Sequence, residues 1–512
     1  MQSDYRRRVY YVTHDVTRCL VPGPNAIAVG LGKGWYWKGL PGVSLDRPAL
    51  RLELVVDFED GSQQRIASDT SWKAAIAPVR LVGGQRNAGG DFGVQHYDAR
   101  LEQPDWNQAT FDDSSWKPAE AVPPPPVCCS AQMIAPNRVV ARLPMVIIHE
   151  PQPGVYLLDF GKNLTGRLRM KVAGPAGAEI GLAYYASHTG DPQKLAENFL
   201  QSDRYVCRGT IGEEFSSQFN WRAFRFVKIT GLPRRPADSD AVAELITTDL
   251  PRSGTFECSD PVLNRLYELV MHTHRCITLG GIQVDCPHRE RLGYGAEGQA
   301  ALAETVYNFD AAAFYSKWAR DFQDGQDPRS GLVYYTAPFR IHSGGGPAWS
   351  GACIVYPWTV YLFHGDRRVL AEGYPTMRRW LAWLDAQSTG GLLRPYGLPQ
   401  MNIWQYLGDW ASPRRPGDTL PCNGHWTSEE DNRVFNDLHH YYQVTLATRM
   451  ANSSKRIWPV RCCWTSCRPS SGPGCCRTWW TMLSRNAEGI SISACSAACI
   501  RSPRWCVKAV RT

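Results

Sequence analysis

Residues 285–299, DCPHRERLGYGAEGQ, set three carboxyls, Asp285, Glu290 and Glu297, among His288, Arg289 and Arg291, with glycines at 293, 295 and 298. Charge at this density, directly after the apolar run CITLGGIQV, belongs to a pocket better than to a plain surface. Paired carboxyls suit cleavage of a glycosidic bond: one gives a proton to the leaving oxygen, and a second activates water or attacks carbon. A carboxyl beside other carboxylates in a partly dry pocket holds its proton more tightly, which suits it as the acid. Flanking arginines act in the opposite direction, so residue types alone leave that balance open. The competing reading is an ion-paired loop that braces a domain interface.

The elements that must position this loop change character along the chain. Residues 1–122 read as β: AIAVGLGKGWYW, ALRLELVVDFEDGSQQRIAS and TSWKAAIAP alternate between Gly, Asp and Pro signals, and Asp60-Gly61 is a hairpin cue. PPPPV at 123–127 reads as a linker. Residues 128–250 are β again, through GVYLLDF, GRLRMKVAG, EIGLAYYA and AFRFVKITGL. Two β regions of this size suggest sandwich domains. Near Ser259 the period becomes helical. Asp260 can cap a helix with Pro261 in its first turn, and Val262, Leu266, Leu269 and Val270 follow helical spacing. A second helix carries Met377, Trp380, Leu381 and Leu384, and a third carries Val434, Leu438, Tyr441, Tyr442 and Leu446. Long Gly- and aromatic-rich loops such as RIHSGGGPAWSG between helices suit a helical barrel with a pocket at its mouth.

Composition narrows the function classes. The 512 residues include 19 Trp and 22 Tyr, whose flat faces can cover the C–H faces of sugars or fill sandwich cores. The net charge of +8 invites a nucleic-acid reading. From Ser453 to Thr512, however, there are ten Lys and Arg against one acid, Glu488, which leaves 46 basic and 47 acidic residues in the body. The body is near neutral, so no nucleic-acid partner is expected. No run of about 18 apolar residues suggests a membrane span. The start, MQSDYRRRVYYVTHDV, lacks the apolar stretch of a signal peptide, so a cytoplasmic location is expected.

Residues 453–512 stand apart. They hold eight of the 17 cysteines and five of the 19 tryptophans without helical or strand periodicity. Cys462, Cys463, Cys467, Cys475 and Cys476 lack paired C-x2-C spacing, and no His follows His440, which argues against zinc. A mixture of Arg, Cys, Trp, Ser and Pro is what GC-rich DNA encodes in a shifted frame, and a frameshift near 452–456 is the expectation.

The 285–299 segment resembles the motif of the bacterial α-L-rhamnosidases, in which Asp-Cys-Pro-x-Arg precedes an acidic residue, then Arg-Leu-Gly-aromatic and Gly-Asp. Other stretches are similar to that family too. VTHDVTRCLVPGPNAIAVGLGKGWY and YDARLEQPDWNQATFDDSSW resemble its first sandwich, and LLDFGKNLTGRLRMKVAGPAG and FNWRAFRFVKITG its second. SGTFECSDPVLNRLYE and PAWSGACIVYPWTVYLFHGDRRVL look like its catalytic domain. The resemblance implies a multidomain β plus α chain: an N-terminal carbohydrate-binding-like sandwich (1–122), a second jelly-roll-like sandwich (123–250), and an incomplete (α/α)6 barrel (251–452) before the anomalous tail (453–512). It implies hydrolysis of terminal α-L-rhamnosides with inversion, a rhamnose-containing glycoside as partner, and no redox or organic cofactor. A calcium ion in a sandwich would follow by family analogy, although no EF-hand-like loop occurs.

Residue by residue, the resemblance makes Glu290 the general acid. Asp285, Arg289 and Glu297 match positions that hold sugar hydroxyls. Trp349 and Trp410 match aromatics that wall the sugar site, with Asp409 beside the second. Two departures stand out: Glu297 where the pattern has Asp, and Tyr294 where Trp is frequent. The family's general base lies well downstream, in or after the anomalous tail, and Glu488 does not resemble it. Glu429 and Glu430 are acidic but lack family support. Little or no hydrolysis by this polypeptide is therefore expected, and a non-catalytic carbohydrate-binding protein is the alternative.

Overall fold

The computed structural model describes residues 2–32, 48–83, 93–124, 126–188, 195–196, 198–338, 346–396, 406–408, 429–454 and 506–511. Two large sheets are followed by a helical region. The first sheet has the order Gln63–Ala67, Leu50–Asp57, Cys506–Arg511, Arg8–Asp15, Cys128–Ala131. Alternation works here as expected: Leu52, Leu54 and Val56 turn inward together. The hairpin expected at Asp60-Gly61 joins Leu50–Asp57 to Gln63–Ala67, with Gly61 at φ +83°, a conformation only glycine adopts freely. Cys506–Arg511 comes from the tail read as lacking periodicity, yet it pairs with both Arg8–Asp15 and Leu50–Asp57. Pairing needs only backbone donors and acceptors, and Val507 and Val510 suit a strand.

The second sheet centres on the 18-residue strand Val155–Val172. Its register against Arg222–Thr230 shifts between Asp159 and Leu164. Beyond the shift it also pairs with Ala241–Thr248 and Glu213–Ser216. Such an irregularity bends the strand. Buried side chains from both of its halves, Leu158 and Phe160 with Leu168 and Met170, join one core with Ile180, Leu182 and Phe224. The sheets do not divide at the proline run. Val79–Val82 and Val94–Asp98 precede it yet extend the second sheet through Ser202–Val206, while Cys128–Ala131 follows it yet pairs with the first. Open strand edges in space, not order along the chain, select these partners.

Among the described residues eight helices follow: α1 (Pro261–Ile277), α2 (Gly295–Ala300), α3 (Leu302–Asn308), α4 (Ala312–Gly325), α5 (Pro347–Ser350), α6 (Ala352–His364), α7 (Arg367–Ala386) and α8 (Glu429–Ser454). Asp260 caps α1 by accepting the Val262 N–H at 2.7 Å, with Pro261 in the first turn. The stripe Met377, Trp380, Leu381 and Leu384 on α7 is buried, as its spacing predicts. The stripes on α1 and α8 are not. Val262, Leu266 and Leu269, and Val434, Leu438, Tyr441 and Tyr442, face outward, and of the α8 stripe Leu446 is buried in the helical core. Helix α8 also packs polar groups inward. Gln443 accepts from the Trp380 indole at 2.8 Å and donates to the Pro347 carbonyl at 2.6 Å, and Asn436 donates to the Leu407 carbonyl at 2.9 Å. Buried polar groups are tolerated when bonded in this way.

The helical core gathers Phe314, Tyr315, Trp318, Phe322, Tyr356 and Trp380. The N-terminal segment is pinned to its back. Arg8 reaches Asp324 at 2.6 Å, and buried Lys317 donates to the Gln2 carbonyl at 2.7 Å. No helix among the described residues is long and apolar enough to cross a membrane.

Candidate active site

The loop that carries the carboxyls hangs from a buried stem. Thr278–Leu279 and Ile282–Gln283 pair through Gly280 and Gly281, both at positive φ, as a two-residue hairpin requires. Leu279, Ile282 and Val284 are buried, so the apolar run before the motif anchors it. The loop then closes on itself. The Asp285 and Leu292 backbones bond at 3.1 Å, and Asp285 Oδ1 accepts the Leu292 N–H at 3.0 Å.

Arg291 turns the chain. Its φ of +57° is unusual for a residue with a side chain. Its guanidinium is buried 3.8 Å over the Trp221 ring, donates to Asn220 Oδ1 at 2.9 Å and to the Pro287 carbonyl at 2.9 Å. The second sheet's Asn220-Trp221 corner thus braces the motif loop. Phe199, from another loop of that sheet, meets His288 edge-on at 5.1 Å and lies under the Arg289 guanidinium at 6.0 Å. Phe199 and Leu200 are themselves at φ +49° and +61°.

The glycines in the motif serve close approach. A Cβ at Gly295 would run into the Trp349 carbonyl, and one at Gly298 into the Tyr356 hydroxyl and the Trp318 ring. Helix α2 can therefore settle on α5 and α6, with Glu297 in its first turn.

Three carboxyls converge. Glu290 Oε1 accepts from Arg289 at 2.8 Å, and Oε2 accepts from the Tyr294 hydroxyl at 2.8 Å. The Glu290 side chain is 21% exposed, open enough for a ligand but not free in solvent. Burial pushes the Asp285 carboxyl up to about 8, and its hydrogen bond to Glu290 and that group's charge add to the shift. Burial likewise pushes Glu297 up to about 7, with Glu290's charge adding and its own backbone N–H opposing. Glu297 Oε2 is buried and makes no hydrogen bond among the described residues. Asp285 and Glu290 thus form a carboxyl pair in which burial favours the protonated form of Asp285. The expectation left open by the flanking arginines is settled for Asp285: burial outweighs them.

Behind Glu290, Tyr294 stacks on Tyr335 with ring centroids 5.2 Å apart and planes 9° from parallel. Trp349 packs with Tyr335, Ala348, Leu407 and Phe435 and is only 5% exposed. It stands behind the tyrosines as a packed wall rather than an open ring. Asp409 and Trp410 lie outside the described residues. Glu429 and Glu430 open α8, but their side chains lie outside the description as well. Tyr335, Phe199 and the Asn220-Trp221 pair were missed in the sequence. Clustered aromatics in VYYTAP and the NW before a strand were the only signals. Among the described residues no group of three or more His, Cys, Asp or Glu has metal-holding geometry.

Three family models match in succession: the alpha-L-rhamnosidase N-terminal domain over residues 1–141, the bacterial alpha-L-rhamnosidase concanavalin-like domain over 149–247, and the bacterial alpha-L-rhamnosidase 6 hairpin glycosidase domain over 251–457. An alpha-L-rhamnosidase of Streptomyces avermitilis is 34% identical over 433 residues, 82% of this chain and 40% of its own length. One from Formosa agariphila is 29% identical over 451 residues, 82% of this chain and 45% of its own. The solved alpha-L-rhamnosidase of Dictyoglumus thermophilum superposes with a TM-score of 0.75 at 27% identity, covering 89% of this chain and 49% of that one. The Streptomyces avermitilis alpha-L-rhamnosidase complexed with L-rhamnose gives 0.73 at 29% identity, covering 89% and 42%. The chain thus spans under half the length of these relatives. With the three domain models in order along it and a motif loop built around clustered carboxyls, this chain belongs to the bacterial α-L-rhamnosidase family.

Proposed function

We propose that this chain carries the sugar-binding and proton-donating apparatus of an inverting α-L-rhamnoside hydrolase. One observation carries the reading: Glu290, clasped by Arg289 and Tyr294, sits beside two further carboxyls that burial holds toward their neutral forms. Glu290 gives its proton to the leaving oxygen, while a base on the opposite face of the ring activates water. Asp285, Arg289 and Glu297 bind sugar hydroxyls. Trp349 supports the wall. The helices form part of an (α/α)6 barrel. The outward apolar stripes on α1 and α8 support this, because a further ring of helices would cover such faces.

The test is calorimetric titration of the purified chain with L-rhamnose, alongside turnover of an aryl α-L-rhamnoside. Saturable binding is expected, weakened at least about tenfold by Arg289→Ala, which removes a charged donor. Any turnover should fall roughly 10²–10⁴-fold in Glu290→Gln, with binding kept within a few-fold. No binding of L-rhamnose, or equal binding of unrelated monosaccharides, refutes the reading.

A further inference from the structure

We infer that Tyr294 is the positioning residue for Glu290: its hydroxyl fixes the Glu290 carboxyl and stabilises the carboxylate left when the proton departs. The inference deepens the reading of Glu290 as proton donor and rests on it. Tyr294 stands where the family pattern frequently has Trp, so the hydroxyl is a feature of this chain's own site.

The geometry is specific. Arg289 donates to Glu290 Oε1 and Tyr294 to Oε2, both at 2.8 Å, and the Asp285 carboxyl shares a further hydrogen bond with Glu290. Two anchored oxygens leave the carboxyl little freedom to rotate. Tyr294 is itself held at three points. Its ring stacks on Tyr335, its backbone forms a bridge with Thr336, and the next amide, Gly295, donates to the Tyr335 carbonyl at 2.9 Å. The residue precedes α2 and so ties the acid to the helix that carries Glu297.

The chemistry follows from the donor. Tyr294 is buried beside Glu290, Asp285 and Tyr335, and burial first, then the Glu290 charge, raises its phenol well above the ordinary range. It therefore keeps its proton and serves only as a donor. When Glu290 transfers its proton to the leaving oxygen, the glycosidic C–O bond breaks with its electron pair going to that oxygen, water activated by the base on the opposite face forms the new bond to carbon, and the O–H electron pair stays on Glu290 as a carboxylate. The Tyr294 O–H then points at an anion. A hydrogen bond to a charged partner is stronger than one to a neutral partner, so the contact strengthens toward the transition state. The other groups facing Glu290 are Asp285, Cys286, His288, Arg289, Glu297 and Tyr335. Of these, Arg289 is the cation, and it donates to the other oxygen.

The test uses the full chain as parent, Tyr294→Phe, Tyr335→Phe and Glu290→Gln. Infrared difference spectra across a pH titration read the carboxyl band, and loss of signal in Glu290→Gln assigns Glu290. Thermal melts check folding, which Tyr294→Phe should preserve because the ring stack remains. Loss of a donor to the anion should move the Glu290-dependent titration in Tyr294→Phe up by about one pH unit. Tyr335→Phe keeps the stack and leaves the titration within a few tenths. With an aryl α-L-rhamnoside, any turnover should lose kcat rather than gain KM, and the alkaline limb should move up with the carboxyl titration. An unmoved titration in Tyr294→Phe, or an equal shift in both tyrosine variants, overturns the inference. If Glu290→Gln leaves L-rhamnose binding and turnover untouched, the hydrolase reading fails on its own, and the infrared titration still decides what Tyr294 does to Glu290.

Discussion

Arg291 offers a sharp test of how the motif loop is held. It combines a side chain that stabilises the loop with a backbone angle that opposes it. The guanidinium stacks on Trp221 at 3.8 Å and makes hydrogen bonds to Asn220 and Pro287, all in a buried setting. A desolvated cation–π contact contributes about 2 kcal/mol, and a hydrogen bond from a charged group roughly 1.5–3 kcal/mol. Burial opposes the charge and holds the Arg291 group well below its ordinary range. We therefore expect Arg291→Ala to loosen the loop by roughly 3 kcal/mol. The φ of +57° adds a second term. Alanine inherits the cost of the left-handed region, about 1–2 kcal/mol, and glycine does not. Arg291→Gly should therefore be less damaging than Arg291→Ala by about 1 kcal/mol, after the greater freedom of glycine in the unfolded chain is counted. In most loop positions the order is reversed. Hydrogen exchange at the Arg289 and Leu292 amides, which bond within the loop to Cys286 and Asp285, reads this locally without assuming two-state unfolding of a multidomain chain. Equal or better protection in Arg291→Ala than in Arg291→Gly would refute the reasoning.

Two other predictions concern the site's charge and the helices' outer faces. Asp285 is raised to about 8, so the folded chain binds its proton more tightly than the unfolded chain does; this contribution is fully present below about pH 4 and is lost as pH rises through 8. Asp285→Asn should resist urea better than the parent at pH 8 with little advantage at pH 4, and an advantage that grows toward acid would contradict the assignment. Leu266 on α1 and Leu438 on α8 point outward, so Leu266→Lys with Leu438→Lys should leave the melting profile nearly unchanged, within about 0.5 kcal/mol per site, while reducing self-association seen by light scattering. A collapse in stability would mean that those faces are covered.

The motif loop was legible because chemistry and local geometry coincide there. Asp285, Arg289, Glu290 and Glu297 lie within 13 residues, and a loop closed by its own hydrogen bonds cannot carry them far apart. The Asp260 cap and the Asp60-Gly61 hairpin were equally local, since each is decided by residues a few positions apart. Helix positions could be read for the same reason. Burial could not. The apolar stripes of α7 and α8 look alike in sequence, yet the first faces the core while the second is exposed at all but Leu446, because periodicity records an amphipathic surface and not what stands opposite it.

By itself, then, the sequence determined the places where the backbone turns and coils, and the identity of the groups able to do chemistry. Tertiary structure alone decided which strands share a sheet across the proline run, and it brought Phe199, Trp221 and Tyr335 against motif residues that lie 89, 70 and 41 positions away from them in the chain. It also decided the protonation of Asp285, since desolvation depends on every atom that excludes water from a carboxyl, and those atoms come from distant parts of the chain.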